Sequence, residues 1–145
     1  MRLEIYRAFH RALQPLRLAG KLSGVLAQFP YAFRRSESGE EFLRELKRRM
    51  EGVPLFVEFR HASWAREDLF ESLEREGLGY VSVDEPDLPG LVPPIARATG
   101  PVAYVRFHGR NKANRWRSGE KRGGAGGARG TGASGSCRRR RIRLL

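Results

Sequence analysis

Charged, amide and imidazole side chains lie towards the ends of four short apolar runs in this chain. These residues are Gln28, Glu58, Arg60, Asp84, Arg106 and His108. Glu58, Asp84 and His108 can act as general acids or bases. Arg60 and Arg106 carry planar guanidinium groups, which bind phosphate or carboxylate through two parallel hydrogen bonds. The residue types therefore predict a site for an anion with acid–base groups beside it.

A metal site is the main chemical alternative, because carboxylate and imidazole groups bind Mg²⁺, Mn²⁺ or Zn²⁺. The two arginines in the same set argue against a metal and favour an anion, so no metal-ligating residue is predicted. The single cysteine, Cys137, excludes a zinc site built from cysteines. Walker, dinucleotide-binding and nucleophile-elbow motifs are absent. The sequence therefore names no cofactor, and it leaves open whether the protein is an enzyme.

The apolar runs have the length and composition of buried strands and are centred near Leu26, Val57, Val81 and Val105. Between the first three runs, and before the first, apolar residues recur every three to four positions, which predicts helices. Strands that alternate with helices favour a parallel sheet. The predicted fold class is α/β: a parallel (β/α) TIM-type barrel, incomplete, with about four strand–helix units in residues 1–111. A complete barrel takes roughly 250 residues, whereas this chain has 145.

Strand periodicity decides which side chains share a face, because alternate residues point to the same side. Each predicted strand has one wholly apolar face and one face that becomes polar towards its C-terminal end. We expect the apolar face, including Val81 and Val83, to meet the helices. Tyr80, Ser82 and Asp84 would then point inwards. All six polar residues would meet at the C-terminal mouth, where barrel enzymes place their chemistry.

Two interpretations of this cluster stay open. The side chains bind a ligand, or they neutralise one another as a structural ion-pair network, for example Glu58 with Arg106 or Asp84 with Arg60.

His61 and Trp64 follow the second strand, on a loop that would rim the same mouth. Trp64 either stacks on a planar or sugar-like ligand or fills the seam between helices and barrel. Both residues are included as candidate ligand-binding positions.

The formal charge of +12 is concentrated near the end of the chain. Residues 1–110 contain 17 lysines and arginines against 15 acidic residues, whereas residues 111–145 contain 11 against one. Residues 112–145 are rich in glycine and arginine and lack hydrophobic periodicity, so they are expected to be a disordered basic tail. The tail is either an arm that binds nucleic acid or a non-native reading frame or extension, which the abrupt break after a strand favours.

Four motifs resemble, in order and spacing, the YecE-like family, catalogued as domain of unknown function 72. They are AQFP (27–30), VEFRHASW (57–64), VDEPDLP (83–89) and AYVRFHGRN (103–111). The resemblance covers residues 1 to about 111 and implies a (β/α) barrel. It implies site positions at Gln28, Glu58, Arg60, His61, Trp64, Asp84, Arg106, His108, Gly109 and Arg110. It implies no reaction, and nucleic-acid binding follows only from the likeness of such barrels to those of DNA-repair endonucleases. The family's early strands and its continuation after Lys112 are expected to be missing.

The predicted function is a fragment of such a barrel whose parent binds an anionic or phosphate-bearing ligand at the C-terminal face. The predicted catalytic residues are Glu58, Asp84 and His108, and the predicted ligand-binding residues are Gln28, Arg60, His61, Trp64, Arg106 and Arg110. The alternatives are a nucleic-acid-binding module and a non-functional truncated product. Exposed strand edges predict self-association. The sequence has no membrane-length apolar run or signal-type start and one cysteine, which predicts a cytoplasmic protein without membrane partners.

Overall fold

Helices and strands alternate along the chain in the computed structural model, which describes residues 3–86 and 88–108. The elements are α1 (Leu3–Leu18), β1 (Val25–Gln28), α2 (Glu37–Arg49), β2 (Leu55–Glu58), a 3₁₀ turn (Ala62–Trp64), α3 (Glu67–Glu76), β3 (Gly79–Asp84) and β4 (Tyr104–Phe107). The predicted tail from residue 112 and the predicted site role of Arg110 lie outside the described residues.

The four strands form one sheet in the order β1-β2-β3-β4, and every neighbouring pair is parallel. Helix α2 connects β1 to β2, and α3 connects β2 to β3. Strands in sequence order with helices between them form half of a barrel, so the predicted fold class is confirmed. In the described residues β1 and β4 each have one unpaired edge, and self-association through these edges stays a prediction.

Local sequence signals set the ends of the connecting helices. Helix α2 begins after Ser36, whose side chain accepts a hydrogen bond from the Gly39 backbone N–H at 3.1 Å. Helix α3 ends at Gly77, which has a φ of 65°, a left-handed conformation that glycine adopts without strain. The Gly77 turn leads directly into β3, which begins two residues later at Gly79.

Helix α1 is the least covered element, and none of its residues is buried. Tyr6 and Leu13 contact the core, and His10 Nε2 lies 2.7 Å from the carbonyl oxygen of Arg49. The helix includes Pro15, where the sequence suggested a kink or a new turn. Across the described part of the chain, every helix is too short or too polar to span a bilayer.

A loop covers the outer face of β3, where a helix would lie in a regular barrel. The Thr99 hydroxyl donates to the Leu78 carbonyl oxygen at 2.6 Å and accepts from the Tyr80 backbone N–H at 2.7 Å. The Ser82 hydroxyl lies 3.2 Å from both the backbone N and the carbonyl O of Arg97. These bonds fix the loop on the sheet and satisfy polar groups that would otherwise be buried without partners.

The core has two parts, one on each face of the sheet. The outer cluster lies between the sheet and the helices and includes Leu43, Val57, Phe59, Trp64 and Tyr80. The inner cluster lies on the concave face and contains Phe56, Val81 and Val83, with Leu26, Val102 and Tyr104 against it. The polar side chains of interest lie above the inner cluster, at the C-terminal ends of the strands.

Strand β3 has the opposite phase to the one expected from its sequence. Partners in a parallel register point to the same side of the sheet. Val57, in the outer cluster, pairs with Tyr80, whereas Val83 pairs with Arg106. Tyr80 and Asp84 therefore point towards the helices and Val83 points inwards. The expectation that Asp84 joins the inward-facing cluster is wrong.

The ring of Phe56 explains this phase. It occupies the interior at the level of Gly79, its register partner, and of Gly24, and a Cβ at either glycine would overlap the ring. Phe56 also contacts Tyr104 edge-on, with ring centroids 5.4 Å apart. Because only glycine fits beside Phe56, the inward face of β3 begins at Gly79 and continues through the two valines.

Candidate functional site

Glu58 is the centre of a charged cluster at the C-terminal end of β2. The whole residue is 0 % exposed, and its paired position on β1 is Gln28. Burial of an ionised carboxylate costs several kcal/mol unless charged hydrogen-bond donors surround it. The neighbours of Glu58 therefore decide whether this strand end is stable.

Three cationic or imidazole side chains surround the Glu58 carboxylate. Arg106 Nη1 donates to Oε2 at 2.5 Å, and Arg60 Nη2 lies 3.1 Å from Oε1. His108 Nε2 lies 3.2 Å from the same Oε1. Gln28 Oε1 also accepts from Arg106 Nη1 at 2.9 Å. The structure thus brings together five of the predicted residues.

Glu85 is a member of the cluster that the sequence analysis missed. Arg60 Nη1 lies 2.8 Å from Glu85 Oε2, and Glu85 is buried. Glu85 follows Asp84 directly, and the reversed phase of β3 gives Glu85 the inward position predicted for its neighbour. The sequence pattern carries no signal for this residue, because the phase of β3 depends on the close contact between Phe56 and Gly79.

The cluster is almost balanced in charge. Two carboxylates, Glu58 and Glu85, face two guanidinium groups, Arg60 and Arg106, so the protonation state of His108 sets the net charge at zero or +1. Arg60 Nη2 also lies 3.4 Å from His108 Nε2. A hydrogen-bonded set of this kind orients the His108 ring beside a buried carboxylate.

A cleft of about 890 Å³ opens on this cluster. Its polar lining consists of Gln28, Arg60, Glu85 and His108, and its apolar lining includes Tyr31. Tyr31 was not identified from the sequence, although it directly follows the AQFP motif. A cleft with a few convergent polar groups is the usual form of a small-molecule site.

Trp64 lies away from the cleft, in the outer core. It is 1 % exposed, its ring stacks on Phe59 and Phe33 with centroid distances of 4.4 and 5.2 Å, and its indole N–H donates to the Phe33 carbonyl oxygen at 2.7 Å. The predicted ligand-binding role of Trp64 is therefore wrong, because its ring is enclosed by other rings. The alternative, that Trp64 fills the seam behind the sheet, is confirmed.

His61 lies behind the cleft wall. Its ring contacts Tyr31 with centroids 4.9 Å apart, and its Nδ1 accepts from the Ser63 backbone N–H at 3.0 Å. His61 therefore supports a residue of the cleft lining and is not part of the polar cluster.

Tyr80 lies behind the cluster, on the helix side of the sheet. Burial, together with the Glu58 and Glu85 carboxylates, raises the pKa of Tyr80 to about 12. Its hydroxyl makes no hydrogen bond within residues 3–86 and 88–108, and its ring contacts Phe70 edge-on.

Over the same residues, no group of three or more His, Cys, Asp or Glu side chains is placed to hold a metal ion.

Comparison with known proteins shows a family relationship. Residues 2–127 match the model of a family described as protein of unknown function DUF72. The UPF0759 protein YunF of Bacillus subtilis is 37% identical over 115 residues, which cover 75% of this chain and 41% of YunF.

Solved structures of DUF72 family proteins are similar to this fold. The protein from Thermotoga maritima has a TM-score of 0.74 and 42% identity, with 80% of this chain and 44% of that chain covered. A protein from Enterococcus faecalis has a TM-score of 0.73 and 28% identity, with 83% and 46% covered. The chain thus spans less than half the length of these relatives.

Proposed function

The chain belongs to the DUF72 family of proteins of unknown function, and we propose that the cleft at the C-terminal ends of its strands binds an anionic, phosphate- or carboxylate-bearing small molecule. One observation carries the proposal. Arg60 and His108 line the cleft while both contact the fully buried carboxylate of Glu58. Two donors are thus held at the cleft surface by a fixed negative charge behind them.

Arg60 keeps hydrogen-bonding capacity for a ligand. Arg60 uses Nη1 and Nη2 towards carboxylates, and its Nε makes no hydrogen bond within the described part of the chain. A guanidinium has five N–H donors, so several N–H groups of Arg60 are available to an anion. The side chain of Arg60 is 18% exposed, which keeps it accessible but strengthens its electrostatic interactions relative to open water.

His108 places an imidazole, a group that can accept or donate a proton, in the lining of the cleft. Its Nε2 contacts Glu58, and its Nδ1 makes no hydrogen bond to residues 3–86 or 88–108. Protonation of His108 would give the cluster a net charge of +1 and favour an anion. We also propose that His108 transfers a proton to or from the ligand. Glu58 would orient its ring.

Calorimetric titration of the full chain with inorganic phosphate tests the proposal. We expect saturable binding that falls at least about tenfold in Arg60→Ala, because a charge-assisted hydrogen bond to an anion is lost. Arg60→Lys keeps the charge and removes the planar fork, so it should bind with intermediate affinity. The matched control is Arg44→Ala, which removes an arginine from the exposed surface of α2, where it pairs with Glu41.

Absence of phosphate binding to the wild-type chain would contradict the proposal. A loss of phosphate affinity in Arg44→Ala equal to that in Arg60→Ala would also contradict it. A steep salt dependence that disappears when residues 112–145 are removed would assign the binding to that segment. That result would favour the alternative of a nucleic-acid-binding module.

A further inference from the structure

The cleft has an apolar wall as well as a polar floor of Gln28, Arg60, Glu85 and His108, and Tyr31 is an exposed aromatic residue of that wall. The wall is formed by Phe29, Pro30, Tyr31, Pro86 and Leu91. Tyr31 is 45% exposed, although an aromatic ring of its size is a large apolar surface to leave in water. The ring is thus available to a molecule that enters the cleft.

The Tyr31 ring is held in place by two neighbouring segments. It contacts the His61 ring, with centroids 4.9 Å apart and an interplanar angle of 53°. Its hydroxyl lies over Gly90, which has a φ of 84° and no room for a Cβ beneath that hydroxyl. A ring held by these two contacts loses little further conformational entropy when a ligand binds to its exposed surface.

Backbone hydrogen bonds join those two segments to each other. The Ala62 N–H donates to the Gly90 carbonyl oxygen at 2.9 Å, and the Val92 N–H donates to the Arg60 carbonyl oxygen at 3.2 Å. The support of Tyr31 is therefore continuous with the backbone of Arg60, the arginine of the cleft floor. One short ladder thus carries both the segments that contact Tyr31 and the backbone of Arg60.

We infer that the ligand of this cleft is an anion attached to a flat aromatic ring, with Tyr31 as the residue that stacks on the ring. This inference rests on the proposed function, because the anionic group would occupy the floor beside Arg60 and His108. The ring would then lie against the apolar wall, where stacking on Tyr31 removes both surfaces from water. Tyr31 acts as a specificity-determining residue, since a bare anion makes no use of it.

Titration with inorganic phosphate and with phenyl phosphate, which differ by one aromatic ring, tests the inference. We expect the full chain to bind phenyl phosphate about tenfold more tightly than inorganic phosphate. Tyr31→Ala should remove this advantage and leave inorganic phosphate affinity within about twofold. Tyr31→Phe, which keeps the ring, should retain the advantage.

Phe107→Ala is the matched control, because Phe107 is 73% exposed and lies on the outer face of β4. An equal loss of phenyl phosphate affinity in Phe107→Ala and Tyr31→Ala would overturn the inference. Loss of the phenyl phosphate advantage in Tyr31→Phe would also overturn it. If inorganic phosphate binds through Arg60 and phenyl phosphate binds no more tightly, the inference fails and the proposed function stands. If neither compound binds, both fail.

Discussion

Two neighbouring residues, Glu58 and Phe59, are almost equally buried and lie in opposite environments. Glu58 is 0% exposed and faces two arginines and a histidine. Phe59 is 1% exposed and stacks between Phe29 and Trp64. Burial alone therefore does not separate the core from the candidate site. The side of the sheet that each residue faces separates the two environments. The helix side is stabilised by ring packing, and the concave side is stabilised here by charge pairing.

Truncation on the helix side should have the largest effect on stability. Trp64→Ala removes a fully enclosed ring and the hydrogen bond to the Phe33 carbonyl oxygen, and should lower the free energy of unfolding by about 4 kcal/mol. Chemical denaturation measures this change. Trp64→Phe is the control and should recover part of the loss. If Trp64→Ala retains full stability and loses phosphate binding, Trp64 belongs to the cleft after all.

Neutralisation of the buried Glu58 carboxylate should have the second largest effect on stability. Glu58→Gln keeps the shape of the side chain but leaves Arg60 and Arg106 without their shared counter-charge, which should cost about 3 kcal/mol of folding free energy. The partly exposed positions of both arginines keep the loss at the lower end of the range. Glu41→Gln, which breaks ion pairs on the exposed surface of α2, should cost at most about 0.5 kcal/mol. Equal effects of the two variants would show that Glu58 is not buried.

Overpacking of the interior tests the phase of β3. Gly79→Ala places a Cβ against the Phe56 ring and should destabilise the fold by about 2 kcal/mol. Phe56→Leu in the same chain should recover part of this loss. Gly100→Ala, where an added Cβ meets nothing within 4 Å, should change stability little. A neutral Gly79→Ala variant would contradict the assignment of the two valines of β3 to the interior.

The phase of β3 also shows where sequence reasoning succeeds and where it stops. Apolar runs and helical spacing correctly predicted four parallel strands in sequence order, because these patterns are local. They also placed Glu58, Arg60 and Arg106 on one face. Which residues of β3 point inwards could not be predicted from the sequence. This choice depends on the contact between Gly79 of β3 and Phe56, which lies on β2 and is distant in sequence. An apolar face lies against helices in most barrels, but here the paired valines fill the interior.

Substitution of Tyr80 should have the smallest effect on stability, and it should stabilise the fold where the other substitutions destabilise it. Its buried hydroxyl lacks a hydrogen-bond partner among the described residues, so Tyr80→Phe should stabilise the fold by about 1 kcal/mol. The pKa of Tyr80 is raised to about 12, so the unfolded chain loses this proton at a lower pH than the folded chain does. Wild-type stability should consequently fall between about pH 10 and pH 12, and Tyr80→Phe should lose less over that interval. Parallel alkaline unfolding curves would show that Tyr80 is solvated.

Nuclear magnetic resonance during a titration with inorganic phosphate tests, at single residues, whether Arg60 and His108 form an anion site above the Glu58 carboxylate. The signals to follow are those of the arginine Nε–H groups and the histidine rings. We expect saturable shifts of the Arg60 and His108 signals, with the signal of surface Arg44 unchanged. Unchanged Arg60 and His108 signals, or equal shifts for all arginines, would contradict the proposed anion site and would leave the cluster as a structural ion-pair network.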